Sequence, residues 1–440
     1  MNIILKTYQI EKQSLLGRKR QSSMKKVIRN IARSIMLFLK SMVYGFFKIT
    51  IKPCEKLVFF ESFQGKQYAC SPKAMYEYML NSPEYKDYKF VWAFRDKNSK
   101  IPLERESNFR LKVVKFESVE YFKYLCRAKY WIFNSNTRYF LKPKKSQVFV
   151  QTWHGTPLKK IGLDVVLEGN VLTDRKKQEK IYNGEAEKIT VMTAPSEFAA
   201  QKFISAFNLK KYNKEKNVLV HGYPRNDRLV NADENEIAGL KERLSIPKDK
   251  KVIMYAPTFR DNKYDVKLGF RLDKYFDFED FEKNFGNEYV LLFRSHYFIS
   301  EKIDLKKSKD CIKDVSYVED VNDLLLITDV LITDYSSLFF DYVILKRPVV
   351  FYMYDLDEYK NSVRDFYINI DELPGPICKT FEELKDAIKK IDASKDVDEN
   401  GEFSSKKEFL DEKYQRFYDK FCGMEKGTAS RDILKDIIKN

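Results

Sequence analysis

From Lys56 onward the chain alternates short apolar runs with amphipathic stretches, and that alternation leaves few folds open. The spacing predicts strands over 57–61, 90–94, 112–116, 130–134 and 148–152, with helical periodicity between them, as over 72–80 and 119–128. A second series follows at 218–221, 252–256, 290–293, 330–333 and 349–352. Runs this apolar suit strands buried on both faces, and strands separated by helices pair in parallel. A polar, acid-rich helix over about 233–244, stopped at Ile246-Pro247, divides the two series. The reading is α/β: two doubly wound, Rossmann-like domains over 56–235 and 245–400, with helices over 401–440. The 440 residues, 44% of them hydrophobic, supply more than one core.

Ligands of open parallel sheets bind beyond the carboxyl ends of the strands. The polar signatures of this chain fall at those ends. Trp153-His154-Gly155-Thr156-Pro157 follows VFVQT. His221-Gly222-Tyr223-Pro224-Arg225-Asn226-Asp227 follows VLV, and Pro257-Thr258-Phe259-Arg260-Asp261 follows VIMYA. Arg294-Ser295-His296 follows VLLF, and Thr333-Asp334-Tyr335-Ser336-Ser337 follows VLI and opens the helix LFFDYVIL. All three histidines of the chain lie in these stretches. The coincidence predicts a crevice between the domains with imidazoles from both. Plainer roles stay open for several of these residues. His221 suits a strand-end turn, Asp334 and the serines suit helix caps, and Asp341 faces either the crevice or a lysine. His154 is the hardest to assign to structure alone, because Gly155 and Pro157 present its imidazole on a rigid turn.

Charge narrows the partners. Lys and Arg number 80 against 64 Asp and Glu, a net +16, so nucleic acid, acidic lipid and a phosphate-rich substrate all qualify at first. Residues 1–56 hold thirteen of the basic residues and two acids, which leaves too small a surplus elsewhere for a nucleic-acid surface. Within that stretch a basic run from Arg18 to Arg33 precedes an apolar segment over 35–51, interrupted by Lys40 and Lys48. It is short for a membrane span and lacks a signal-peptide cleavage site. The expectation for 1–55 is a basic amphipathic segment lying on an anionic leaflet, with Phe38, Tyr44, Phe46 and Phe47 at the headgroup boundary. A buried N-terminal helix is the alternative, and a truncation near residue 53 that stays folded would favour the membrane reading. Six scattered cysteines without a C-x-x-C pair indicate a reducing compartment and no structural zinc.

Other chemistries leave no trace. There is no Walker-type phosphate loop, no G-x-G-x-x-G fingerprint, no G-x-S-x-G elbow and no H-E-x-x-H zinc helix.

Taken together, TWHGTPLKKIGLD, HGYPRND, YAPTFRD, LLFRSH and LITDYSSLFFDYVILKRPVVFY resemble the CDP-glycerol:poly(glycerophosphate) glycerophosphotransferase family, the teichoic acid primases and polymerases, which include CDP-ribitol users. The resemblance spans roughly 55–400. It implies two facing Rossmann-like domains of the GT-B type and a membrane-associated face. It also implies transfer of an alditol phosphate from a CDP-alditol donor to a lipid-linked acceptor or growing polymer at the cytoplasmic face of the membrane. His154 matches the family's catalytic histidine and is the expected base, because an alcohol nucleophile at neutral pH gains from a general base. His296 and Arg294 are expected to hold the leaving phosphate, with His296 protonating departing CMP. Ser336 and Ser337 with their helix start would cradle the diphosphate, Arg225 and Thr258 would add donors, and Asp341 would accept from a ribose hydroxyl. Trp153, Gly155, Thr156, Pro157, Phe259 and Ser295 complete the expected substrate-binding set. No Asp-x-Asp motif lies in these stretches, so the expectation is catalysis without a metal or other cofactor. Two rivals remain: a GT-B glycosyltransferase using a nucleotide sugar, and a non-catalytic scaffold binding anionic polymer.

Overall fold

Strand β1 (Cys54–Glu61) carries LVFFE, and its last five residues are buried, so both faces need a cover of helices. The computed structural model describes residues 27–96, 109–165, 175–258, 276–294, 311–357, 366–393, 395–397, 403–405 and 409–438. A first helix, α1, spans 27–50. After β1 come α2 (Cys70–Asn81), β2 (Lys89–Phe94), β3 (Leu111–Lys115), α3 (Val119–Arg127), β4 (Ala128–Phe133) and β5 (Val148–Gln151). Then follow α4 (Arg175–Lys188), β6 (Val191–Ala194), α5 (Glu197–Ala206), β7 (Val218–Val220) and α6 (Asp227–Asn231). These seven strands form one sheet, in the order β3-β2-β1-β4-β5-β6-β7, with every pairing parallel.

Helix α7 (Glu234–Arg243) separates the sheets, started by the Asp233 carboxylate accepting from Glu236 N at 2.8 Å. The second sheet takes β8 (Lys251–Ala256), β9 (Tyr289–Phe293), β10 (Ile312–Asp314), β11 (Val330–Thr333), β12 (Val349–Tyr352) and β13 (Ile377–Cys378). Its order is β10-β9-β8-β11-β12-β13, again wholly parallel. Between these strands run α8 (Phe278–Phe285), α9 (Val321–Ile327) and α10 (Leu338–Val343), and α11 (Phe381–Ala393) follows β13. Both sheets therefore share the doubly wound order, whose switch points lie between β1 and β4 and between β8 and β11. The strand read over 218–221 joins the first sheet, not the second series.

The C-terminus ties the halves together. A short β14–β15 hairpin pairs Lys395–Val397 with Phe403–Ser405. Helix α12 (Glu412–Phe421) then buries Tyr414, Phe417 and Phe421 in the core of the second sheet. Helix α13 (Ala429–Ile437) returns to the first, packing Ile433 and Leu434 into the cluster of Phe60, Tyr76 and Trp92.

Helix α1 is divided in its environment. Tyr44 is buried and its hydroxyl donates to Lys142 O, Val43 and Phe47 pack on the same core, and Lys40 pairs with Glu117 at 2.6 Å. Ile28, Ile31, Ile35, Phe38, Leu39, Met42, Phe46 and Ile49 are all exposed, a stripe at helical spacing. Of the four aromatics expected at a headgroup boundary, Phe38 and Phe46 lie on the open face, whereas Tyr44 and Phe47 belong to the domain. Cutting at residue 53 would strip Tyr44 from the core. Among the described residues no helix is long and apolar enough to cross a membrane.

Candidate active site

Strand β5 is buried along most of its length and delivers the chain to the carboxyl edge of the first sheet, where Thr152 and Gln151 fasten the following turn. Gln151 Oε1 accepts from Trp153 N at 3.0 Å, and Thr152 Oγ1 donates to Phe133 O at 3.2 Å. Trp153 adopts a left-handed φ of 52°, costly for a bulky residue. The turn brings its indole under His154, with ring centroids 4.4 Å apart and planes 28° from parallel. The far side of the indole meets Phe207 edge-on at 5.1 Å, which anchors it in the core. Phe63 flanks the imidazole at 5.6 Å.

The proton on His154 is placed by a carbonyl. His154 Nδ1 lies 2.7 Å from Asn134 O, which can only accept, so Nδ1 carries the hydrogen and the Nε2 lone pair is free. Asn134, at the end of β4, is itself immobilised. Its side chain donates to Ser62 Oγ at 3.1 Å and accepts from Phe63 N at 2.8 Å, while Ser62 Oγ donates to Ala69 O at 2.8 Å. One face of His154 opens on the cleft and protein surrounds the rest. That crowding lowers its pKa below the ordinary 6.5; the Asn134 bond opposes the shift, and the Arg225 charge adds to it. His154 is a neutral imidazole at pH 7.

His154 shares a cavity of about 360 Å³ with Phe63, Cys70, Arg225, Arg294, Ser336, Ser337 and Asp341. These residues come from the ends of β1, β5, β7, β9 and β11, so the cavity lies at both switch points. Arg294 Nη1 is held by Val318 O at 2.8 Å and Val315 O at 3.3 Å, which fixes the guanidinium at the cavity wall. Arg225 and Asp341 form a buried ion pair at 2.6 Å, and Arg225 lies over the Tyr223 ring at 4.8 Å. Burial works against the Arg225 charge, and Asp341 together with Cys70 and Tyr223 more than offsets it, so the guanidinium stays charged. Its Nε is buried with no hydrogen-bond partner among the described residues. Glu319 and Asp320 close the rim by binding the opposite domain: Glu319 Oε2 accepts from Tyr68 N at 3.0 Å, and Asp320 pairs with Lys73 at 2.5 Å.

The expected residues divide accordingly. His154, Arg225, Arg294, Ser336, Ser337 and Asp341 are brought together. Asp341 has both oxygens engaged, one by Arg225 Nη2 and one by Asn226 Nδ2 at 3.1 Å, so what it holds in this structure is the arginine. Thr258 does not line the cavity; its amide and hydroxyl both donate to Asp334, at 2.9 and 2.5 Å. Trp153 supports His154 from behind, and Thr156 and Pro157 are buried. Gly155 lies close against the opposite domain, since a Cβ there would sit 2.9 Å from Ser337 Oγ. His221 leaves the crevice altogether: its Nε2 lies 2.8 Å from Asp436 Oδ2 on α13. Phe259, Ser295 and His296 lie outside the described residues. Sequence reasoning missed Asn134, Glu319 and Asp320; a polar Asn directly after the apolar run AKYWIF was the one local signal. Among the described residues no cluster of three or more His, Cys, Asp or Glu stands where it could hold a metal ion.

Two α/β domains, each a wholly parallel sheet, with one cavity at the strand ends of both, place the chain in the class of two-domain doubly wound proteins. Within it the chain belongs to the CDP-glycerol:poly(glycerophosphate) glycerophosphotransferase family, whose model matches residues 45–439. It is 35% identical to the teichoic acid poly(glycerol phosphate) polymerase of Bacillus spizizenii, covering 92% of this chain and 98% of that protein. It is 38% identical to the teichoic acid glycerol-phosphate transferase of Staphylococcus aureus, covering 93% of this chain and all of that protein. The solved structure of the wall teichoic acid polymerase TagF superposes with a TM-score of 0.79 at 36% identity, over 94% of this chain and 96% of that one.

Proposed function

We propose that this protein transfers glycerol phosphate from CDP-glycerol to the terminal hydroxyl of a growing poly(glycerol phosphate) chain and releases CMP. The observation that carries the reading is a neutral imidazole, its Nδ1–H fixed on Asn134 O and its Nε2 open on a cavity whose other wall bears Arg294, Ser336 and Ser337. His154 Nε2 takes the acceptor hydroxyl's proton as the oxygen attacks the β-phosphorus. The bond from that phosphorus to the bridging oxygen breaks, and CMP leaves with the electron pair. Negative charge grows on the diphosphate, where fixed cationic and hydroxyl donors lower the barrier most. Arg294 and the two serines fill that role, with the Arg225 guanidinium held beside the cavity by Asp341, and His296 keeps its assignment to the departing phosphate on the sequence motif alone. Glycerol is favoured over ribitol because similarity over more than nine-tenths of this chain, at 35–38% identity, runs to glycerol-phosphate enzymes, whereas the ribitol-phosphate polymerases match over 42% to 68% of it. CMP release assayed with CDP-glycerol, CDP-ribitol and UDP-sugars tests this. CDP-glycerol should be turned over fastest, and turnover of a UDP-sugar alone would revive the glycosyltransferase reading.

Charge-assisted hydrogen bonds contribute about 1.5–3 kcal/mol each, roughly tenfold to a hundredfold in affinity. Arg294→Ala should therefore weaken CMP binding by at least tenfold in a calorimetric titration. Unchanged affinity in both Arg294→Ala and Ser337→Ala would move the donor site elsewhere.

The acceptor in this reading is lipid-linked, and α1 holds the enzyme on the cytoplasmic leaflet. Its exposed apolar stripe supplies the inserted face, and Arg29 and Arg33 sit among those residues. Basic residues close to an anionic surface contribute about 1 kcal/mol each. The double variant Phe38→Glu/Met42→Glu should come off anionic vesicles in co-sedimentation and lose turnover of a lipid-linked acceptor, while a soluble acceptor analogue is extended as before. Vesicle binding equal to wild type would remove α1 from this role.

A further inference from the structure

Between α12 and α13 the C-terminal segment passes through the joint of the two domains, and it leaves one carboxyl group there. Glu425 is buried, and its two oxygens each lie 3.1 Å from Tyr223 N. Asn226 Nδ2 also donates to Glu425 Oε1, at 2.9 Å, and bridges on to Asp341 Oδ1 at 3.1 Å. Gly222 has a φ of +88°, and a Cβ there would stand 2.5 Å from Glu425 Oε2, so only glycine admits the carboxyl so close to the turn. The turn it grips reaches both walls of the cavity. Tyr223 OH donates to Gly155 O at 3.1 Å, one residue from His154, and Arg225 enters the ion pair with Asp341.

We propose that Glu425 is a positioning residue for the transfer reaction, a buried clamp that holds the 222–226 turn so that His154 and Arg225 keep their places across the domain joint. The proposal rests on the functional reading above and adds to it a residue some 270 positions from His154 in sequence that touches no substrate. Gripping the turn from a segment that continues into α13 also makes the last helix part of the site's framework.

The groups facing this carboxyl are Asp341, Asp227, Cys422, Tyr418 and Tyr223, with Arg225 beyond Asp341. Burial, reinforced by Asp341 and Asp227, raises the pKa of Glu425 to about 8, against the pull of its Asn226 and Tyr223 bonds. At pH 7 the group is mostly the neutral acid, which glutamine imitates in shape and charge.

A displaced base costs catalysis more than it costs binding, and a shift on the order of 1 Å can cost about a hundredfold. Glu425→Ala should lower kcat at least tenfold while CMP affinity stays within about threefold of wild type. Glu425→Gln should restore most of the loss at pH 7. The ring resonances of ¹⁵N-labelled His154 should move in Glu425→Ala and return in Glu425→Gln, a readout that needs no turnover. If the wild type fails to use CDP-glycerol, the functional reading falls and the resonances still test the clamp. A kcat for Glu425→Ala within threefold of wild type, a Gln variant as impaired as Ala, or His154 resonances unmoved in Glu425→Ala would each overturn the proposal. Should Glu425→Ala not fold, Glu425→Gln and Asn226→Ala decide it: the first must keep wild-type resonances and the second must shift them.

Discussion

His154→Ala should cut turnover at least a hundredfold while CMP affinity, measured by calorimetry, changes little. The size follows from the role. Removing a general base typically loses two to four powers of ten, because the alcohol must then lose its proton to water. The binding side should be spared because Arg294 and the serines stand on the opposite domain and owe their positions to Val315, Val318 and the start of α10. The pH dependence has a definite sign. Crowding holds the imidazole pKa below 6.5, so the base form persists through neutral pH and the acid limb of kcat/KM falls below that value. A variant keeping more than a tenth of wild-type turnover would assign the base to another group.

Asp341→Ala should be strongly destabilising. It leaves the Arg225 guanidinium buried without its counter-charge and Asn226 without one of its acceptors. Breaking a buried pair from one side costs about 3–5 kcal/mol, because the remaining charge has neither water nor partner. Urea unfolding should show a loss of that order. The double replacement Arg225→Met/Asp341→Leu should recover part of it and remain inactive, since a well-packed apolar pair removes the stranded charge but not the need for Arg225 at the cavity. A loss under 1 kcal/mol for Asp341→Ala would mean that the pair is not buried as described.

The parallel sheets were legible because their central strands are nearly continuous apolar runs: VFF, FVWAF, VIMYA, VLLF and VLI can scarcely be anything but strands buried on both faces. Three strands were not. VMTA of β6 inside the first sheet, and IKD of β10 and the two residues of β13 at the edges of the second, are too short or too polar to carry a period, and neighbours fix them as strands. The site was half legible for a related reason. His154, Arg294, Ser336 and Ser337 stand beside strong strand signals, so a rule about strand ends finds them. What Asn134 contributes is mainly a backbone carbonyl, which no residue type announces. Glu425 matters only because the chain crosses the joint a second time, about 200 residues after the turn it grips. His221 misled for the opposite reason: the HGYPRND turn does serve the cavity through Tyr223, Arg225 and Asn226, yet its histidine points to α13. Asp341 was placed in the crevice by its position in the helix, but the partner it finds there is an arginine of this same chain.

Everything in the mechanism depends on His154 being neutral at pH 7 with its proton on Nδ1. The chain has only three histidines, so ¹⁵N-histidine labelling of the whole protein, with His154→Ala for assignment, resolves this ring directly. The geometry predicts a neutral ring with Nδ1 protonated and Nε2 bare at pH 7, charging only as the pH falls below 6.5. A His154 ring that is doubly protonated at pH 7, or that carries its proton on Nε2, would contradict it.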